Sequence, residues 1–155
     1  MPPLGWWLTA AVLAGIVAYL VWRIRDGRAE VPADALRALD IVWRQLWGMP
    51  WDKRPYLYAV PVSHLNCAGG KGWVAIDGRC VAGLSTPTQG GISCTVAFWS
   101  GSKPSETALV HELRHARRWL EQPDTQYEAD AVAHAAPGFN ADIDAANGFL
   151  AKAGL

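Results

Sequence analysis

The sequence predicts an α+β fold, in which an N-terminal transmembrane helix precedes a small domain made of a short, mainly antiparallel sheet packed on one helix, with further helices towards the C-terminus. Three observations predict it. The chain has no charged side chain before Arg23. Between Cys67 and Gly91 it contains seven glycines and only short β-like runs, and from Ser105 onwards apolar residues recur at helical spacing. The length of 155 residues suits one such domain.

The charges are balanced, with 14 Lys+Arg against 14 Asp+Glu and a net charge of zero at neutral pH. Proteins that bind nucleic acid need a surplus of basic side chains to neutralise phosphates, so the composition excludes a nucleic-acid partner. Hydrophobic residues make up 51% of the chain, which excludes long disordered regions.

The uncharged segment at residues 4–22 has the length of a membrane span, because a helix of 19 residues rises roughly 28 Å. We expect an anchor at 1–24 that contacts the bilayer through residues 4–22, a juxtamembrane linker at 25–31 and a soluble domain at 32–155. No basic side chain precedes the span, which favours a retained anchor over a cleaved signal peptide. Alanines at every fourth position from Ala10 to Ala18 are compatible with a weak homodimer, although a span without a partner is the simpler interpretation.

Orientation follows from the charges beside the span. Three arginines between Arg23 and Arg28 come directly after it, which predicts a single-pass membrane protein with its domain in the cytoplasm. One disulfide among Cys67, Cys80 and Cys94 would favour the extracytoplasmic side instead. The spacing alone does not decide whether any two of them pair.

The first elements of the domain are a helix and a strand. Proline is favoured at the first position of a helix, so the apolar repeat that follows Pro32 predicts a helix that ends near Gly48. Tyr56–Val62 reads as a strand, and Pro61 places it at the edge of a sheet because proline cannot donate to a ladder.

Short strands follow. The runs at Trp73–Ile76 and Cys80–Ala82 flank Asp77-Gly78, a sequence typical of tight turns. Ile92–Trp99 is the strongest strand pattern in the chain. Beyond it, apolar spacing predicts two or three helices, at Ser105–Glu121, Thr125–Ala136 and Asn140–Ala151.

The chemistry is concentrated in the first of these helices, where residues 111–115 read His-Glu-Leu-Arg-His. On a helix His111 and His115 share one face, so both imidazoles can bind one zinc ion. Glu112 projects beside them, where it can take a proton from an attacking water. With four His and five Glu in the chain, chance produces this pattern roughly 0.003 times per sequence of this length.

On these residues the sequence resembles the zincin metallopeptidases, in particular the gluzincin-like group, over about Ile92–Ala136. The resemblance implies that zinc is held by the two histidines and by a glutamate on a later helix. It also implies that Ile92–Trp99 is the edge strand along which an extended peptide substrate lies. Metzincins match less well, since the residues after His115 lack their glycine and third histidine.

The third ligand is left open between three residues. Glu128-Ala129-Asp130-Ala131 matches the E-x-x-A motif of some gluzincin-like proteins, so the resemblance favours Glu128. If residues 122–124 form the turn of an antiparallel helix pair, position 113 faces position 134, and Asp130 and His134 then lie nearer the metal than Glu128. Each choice gives three protein ligands and one open position, which is the catalytic arrangement of zinc.

We therefore expect a membrane-anchored, zinc-dependent metallopeptidase that acts on a peptide or protein substrate, with Glu112 as the general base. One alternative is a non-catalytic zinc-binding membrane protein that serves as a partner-binding module. Another is a metal-free adaptor, whose two histidines are solvated and whose Glu112 pairs with a neighbouring arginine.

Overall fold

A computed structural model of the chain describes residues 12–18 and 29–155. In chain order its elements are helix α1 (12–18), helix α2 (Ala33–Asp40), strands β1 (Tyr56–Val60), β2 (Trp73–Val74), β3 (Cys80–Val81), β4 (Gly83–Thr88) and β5 (Gly91–Ala97), and helices α3 (Leu109–Glu121), α4 (Asp130–Ala135) and α5 (Phe139–Lys152). The protein is an α+β structure with two small sheets.

The described residues contradict the predicted transmembrane anchor over 1–24. Within residues 12–18 and 29–155 no helix is long and apolar enough to cross a bilayer. The single-pass localisation is wrong for the same reason, whereas the bilayer contact and the weak homodimer stay predictions. The rest of the predicted span, and the linker up to residue 28, lie outside the described residues.

The main sheet has three strands in the order β1-β5-β4. Strand β5 pairs in parallel with β1 and antiparallel with β4, so this sheet is mixed, and two of the three strand pairings among the described residues are antiparallel, as the sequence predicts. The parallel pair is possible because a long connection, the chain from Pro61 to Gly90, separates β1 from β5. Strand β1 lies at an edge and ends directly before Pro61, as its sequence predicts.

The two faces of β5 have different neighbours, because side chains alternate along a strand. Ile92, Cys94 and Val96 are buried beneath α3, whereas Ser93 and Thr95 turn to the opposite face. The strand predicted at Ile92–Trp99 is therefore real, but it is the central strand of the sheet. The expectation that it forms the edge along which a substrate lies is wrong, and β4 is the edge beside α3.

The core lies between the sheet and three helices. Leu109 and Leu113 of α3 are fully buried against the sheet, together with Leu150 of α5. Trp43 is also fully buried, and its indole N–H donates to the carbonyl of Pro50 at 3.0 Å, which satisfies its one polar group. Burial of each of the three leucine side chains contributes about 1.5–3 kcal/mol to the free energy of folding.

Most helices form where the apolar spacing predicts them. The helix predicted from Pro32 is confirmed as α2, which continues as a π-helix over Ile41–Leu46. The helix predicted at Asn140–Ala151 is confirmed as α5. The one predicted from Ser105 begins as a 3-10 turn, Pro104–Glu106, before it becomes α3.

The segment predicted as one helix at Thr125–Ala136 is broken in two. Pro123–Tyr127 is a 3-10 helix, and α4 begins only at Asp130. Between them Glu128 and Ala129 are extended, with ψ angles of 146° and 145°. Helix α4 is therefore a separate short helix, and its axis does not continue that of the 3-10 helix before it.

The second sheet is the antiparallel hairpin of β2 and β3. Its turn contains Asp77-Gly78, as predicted, and Gly78 adopts a φ of 82°, which favours glycine. A disulfide joins Cys67 to Cys80 across the base of the hairpin, and Cys94 is a buried free thiol.

Candidate metal centre

Helix α3 presents two imidazoles on one face. His111 and His115 are separated by one helical turn, so their side chains lie one above the other. His115 is 6% exposed and His111 is half-buried. The opposite, apolar face of α3 packs on β4 and β5, and this packing fixes the orientation of the histidine face.

His134 of α4 completes a cluster of three imidazoles. The Nε2 atom of His115 lies 3.2 Å from the Nε2 atom of His111 and 3.2 Å from that of His134. The three ligand atoms all lie within 4.8 Å of one another, close enough to hold one metal ion. Of the three residues considered as third ligand from the sequence, His134 is the one that the structure brings to the pair.

The spacing of these nitrogens fits a shared cation. A ring nitrogen has a single in-plane direction for a hydrogen or a lone pair, so Nε2 of His115 can make only one hydrogen bond, yet it has two nitrogen neighbours at 3.2 Å. Zn–N bonds of about 2.0–2.1 Å in a tetrahedral arrangement separate two ligand nitrogens by about 3.3 Å. The two separations from Nε2 of His115 match that value within about 0.1 Å.

The cluster rests on one aromatic ring. The ring of Phe139, at the start of α5, lies 4.9 Å from His115, 5.2 Å from His134 and 5.9 Å from His111, measured between centroids. Phe139 is fully buried, and the guanidinium of Arg114 lies 5.3 Å from its centroid. The ring therefore supports all three imidazoles from one side and restricts their movement.

Burial keeps two of the imidazoles neutral. Burial, and after it the neighbouring His111, lowers the pKa of His115 to about 4. The pKa of His111 is also lowered, first by burial and then by His134. Neutral imidazole is the form that binds metal, so these two residues are ready to act as ligands at neutral pH.

Glu112 is the buried acid beside the cluster. Its side chain is 5% exposed, and its Oε2 atom accepts a hydrogen bond of 2.6 Å from the hydroxyl of Ser85 on β4. Burial raises the pKa of Glu112 to about 7, the charge of Asp130 adds to the rise, and the Ser85 hydrogen bond opposes it. A carboxyl group with this pKa can take up and release a proton near neutral pH.

A glycine makes room for this carboxyl group. A Cβ atom at Gly83 would lie 2.6 Å from Cγ of Glu112 and would overlap its Oε1 atom. Real Cβ atoms almost never come that close to another atom, so the backbone of β4 can pass over Glu112 only without a side chain here.

The cleft in front of the cluster is small, with a volume of about 100 Å³. Its walls come from β4, α3 and the first residue of α4. They are formed by Gly83, Leu84, Ser85, His111, Glu112, His115, Trp119 and Asp130.

The two acidic candidates for third ligand lie elsewhere. The carboxylate of Glu128 accepts hydrogen bonds from the Arg118 guanidinium at 2.9 and 3.2 Å, so it is held away from the histidines. Asp130 borders the cleft, but its side chain is 68% exposed, and its nearest cation is Arg79 at 3.9 Å. Neither belongs to the group that can share one ion with His111 and His115.

Sequence reasoning missed the contribution of β4. Gly83 and Ser85 both contact Glu112, yet the run Gly-Leu-Ser-Thr-Pro-Thr has low strand propensity and reads as a loop. The one signal was Pro87, which is tolerated in an edge strand.

Fold and cluster together define a small α+β protein with three histidines arranged to hold a metal ion beside a buried glutamate. Comparison with protein-family models, with curated proteins and with solved structures finds no match for this chain.

Proposed function

We propose that the protein is a zinc-dependent metallopeptidase. The observation that carries the proposal is the convergence of His111, His115 and His134 beside the buried carboxyl group of Glu112. Three imidazoles with one position left open are the ligand set of many catalytic zinc sites, whereas a structural site is closed by a fourth protein ligand.

Glu112 acts as the general base in this proposal. Zinc bound by the histidines lowers the pKa of a water molecule to about 7 and polarises a carbonyl group. Glu112 takes a proton from the attacking water on its carboxylate and later passes that proton to the amine that leaves. Its raised pKa suits both steps, and the hydroxyl of Ser85 orients the carboxylate.

An extended peptide has a place to bind beside the cluster. Within the described residues β4 pairs only with β5, so its other edge is open. The amide of Ala97 donates to the carbonyl of Ala82 at 2.9 Å, which identifies the pairs that face inwards. Hydrogen-bonded and non-hydrogen-bonded pairs alternate along antiparallel strands, so the backbone N–H and C=O groups of Gly83 and Ser85 face away from β5. A substrate backbone can pair with these groups as a further strand.

Replacement of Glu112 by Gln tests the proposal. The variant should keep one equivalent of zinc, measured by elemental analysis, and cleave fluorescein-labelled casein at least about 100-fold more slowly, because general-base catalysis contributes that much. Glu121→Gln is the matched control, since Glu121 lies on the same helix and pairs with Arg117 at the surface. Cleavage by Glu112→Gln at the parental rate would contradict the role of Glu112.

The size of the cleft favours a second candidate, a zinc-binding module that recruits a partner without cleaving it. Ligand-binding cavities commonly measure about 300–1,000 Å³, and this cleft has only about 100 Å³. One equivalent of zinc in the parental protein, with no cleavage of casein or of a random peptide library followed by mass spectrometry, would favour this candidate.

A further inference from the structure

The outer face of the main sheet, opposite α3, carries hydroxyl groups and aromatic rings. Tyr56 is directly beside Ser93 in the register of β1 and β5, and Tyr58 is beside Thr95. Directly opposite residues share a face, so these four side chains form one surface. Cys94, between the two hydroxyl residues of β5, points the other way and contacts the main chain of Glu112.

The hairpin of β2 and β3 turns this surface into a groove. Trp73 and Val74 of β2 form one wall, and the disulfide between Cys67 and Cys80 fixes the hairpin. The enclosed volume is about 890 Å³, within the range of small-molecule sites and far larger than the cleft at the histidines.

The described lining of the groove is polar and contains no acidic side chain, lysine or arginine. Its hydroxyl groups come from both tyrosines and from serines and threonines of the floor and rim, and Asn66 adds an amide and His64 an imidazole. Such a lining has nothing to neutralise a phosphate or a carboxylate, and burial of an unpaired charge there would be costly.

We propose that this groove binds an uncharged saccharide. Sugars present apolar C–H faces that stack on aromatic rings, and hydroxyl groups that act as both donors and acceptors. Tyr56, Tyr58 and Trp73 supply the rings, and the surrounding hydroxyl and amide groups supply both hydrogen-bonding roles. A proline-rich peptide also binds aromatic grooves, but its prolines lack N–H groups and can use only the donors of this lining, whereas sugar hydroxyl groups can use donors and acceptors alike.

Calorimetric titration of the full chain with cellotetraose, maltotetraose and chitotetraose tests the proposal. We expect at least one of them to bind, and Tyr56→Ala to raise its Kd about tenfold. Tyr56 is 55% exposed, so its truncation leaves the core intact. The matched control is Tyr127→Ala, which removes a tyrosine that is 85% exposed and does not line the groove.

The metal site provides a second control. Glu112→Gln should bind the saccharide as the parental protein does, because Glu112 lies on the other face of the sheet. The proposal is overturned if none of the three saccharides binds at millimolar concentration, if Tyr56→Ala binds as tightly as the parental chain, or if a decaproline peptide binds in their place.

Discussion

Replacement of His134 by Ala gives the sharpest test of the metal centre. The Nε2 atom of His134 lies 3.2 Å from that of His115, and its loss leaves two protein nitrogens in the cluster. Mutation of residues that merely support a metal ligand lowers affinity about 10- to 100-fold. Loss of a ligand should therefore weaken zinc binding at least about 100-fold, or about 2.8 kcal/mol at 1.4 kcal/mol per tenfold.

Competition with a chromophoric chelator measures this affinity, and elemental analysis gives the zinc content of the purified variants. The titration belongs at pH 8, because His134 lowers the pKa of His111 and its removal lets protons compete better for the remaining ligands. His64→Ala is the control for a histidine outside the cluster, since His64 lines the groove on the other face of the sheet.

Glu128→Gln separates the two assignments of the third ligand. Its carboxylate binds Arg118, so the variant should keep parental zinc affinity. The assignment of His134 as third ligand is refuted if His134→Ala binds zinc with parental affinity. It is also refuted if Glu128→Gln loses as much zinc affinity as we expect for His134→Ala.

Three further predictions concern the surroundings of the site. Gly83→Ala should leave zinc bound but lower peptidase activity about 100-fold, because the added Cβ lies 2.6 Å from Cγ of Glu112 and must displace the Glu112 side chain. A kcat/KM equal to that of the parental protein would contradict this prediction. Ser85→Ala removes a hydrogen bond that lowers the pKa of Glu112, so the loss of kcat/KM on acidification should begin at higher pH, and an unmoved pH profile would exclude the role of Ser85. Reduction of the disulfide between Cys67 and Cys80, 13 residues apart, should lower the free energy of unfolding by about 3 kcal/mol, and equal denaturation midpoints with and without reductant would rule this out.

The first two histidines could be predicted because their geometry is local. A helix fixes the relation between His111 and His115 whatever surrounds it. The third position depends on how α4 docks, and that depends on the extended backbone at Glu128 and Ala129, which no periodicity reveals. The motif resemblance favoured Glu128, while the antiparallel-helix argument pointed towards Asp130 and His134, because it used distance along two helices rather than a pattern.

The strands were predictable only where their own composition decides the structure. Gly91–Ala97 is rich in apolar and β-branched residues, so its existence was clear, but composition does not tell a central strand from an edge. Gly83–Thr88 forms a strand because β5 supplies its hydrogen-bonding partner, an interaction of tertiary structure. The sheet order, and with it the residues that support Glu112, therefore lay beyond sequence reasoning.

The alternation of β5 separates the two proposed sites. Cys94 contacts the main chain of Glu112 on one face, while Ser93 and Thr95 line the groove on the other. Among the described residues, no side chain lines both the cleft and the groove. Because the sites share one strand but no side chain, substitutions in the two should act independently. In a double variant of Glu112→Gln and Tyr56→Ala, the changes in the free energy of saccharide binding and in the activation free energy of casein cleavage should each equal the sum of the single-variant changes within about 0.5 kcal/mol. A larger departure would mean that β5 transmits a change from one face to the other.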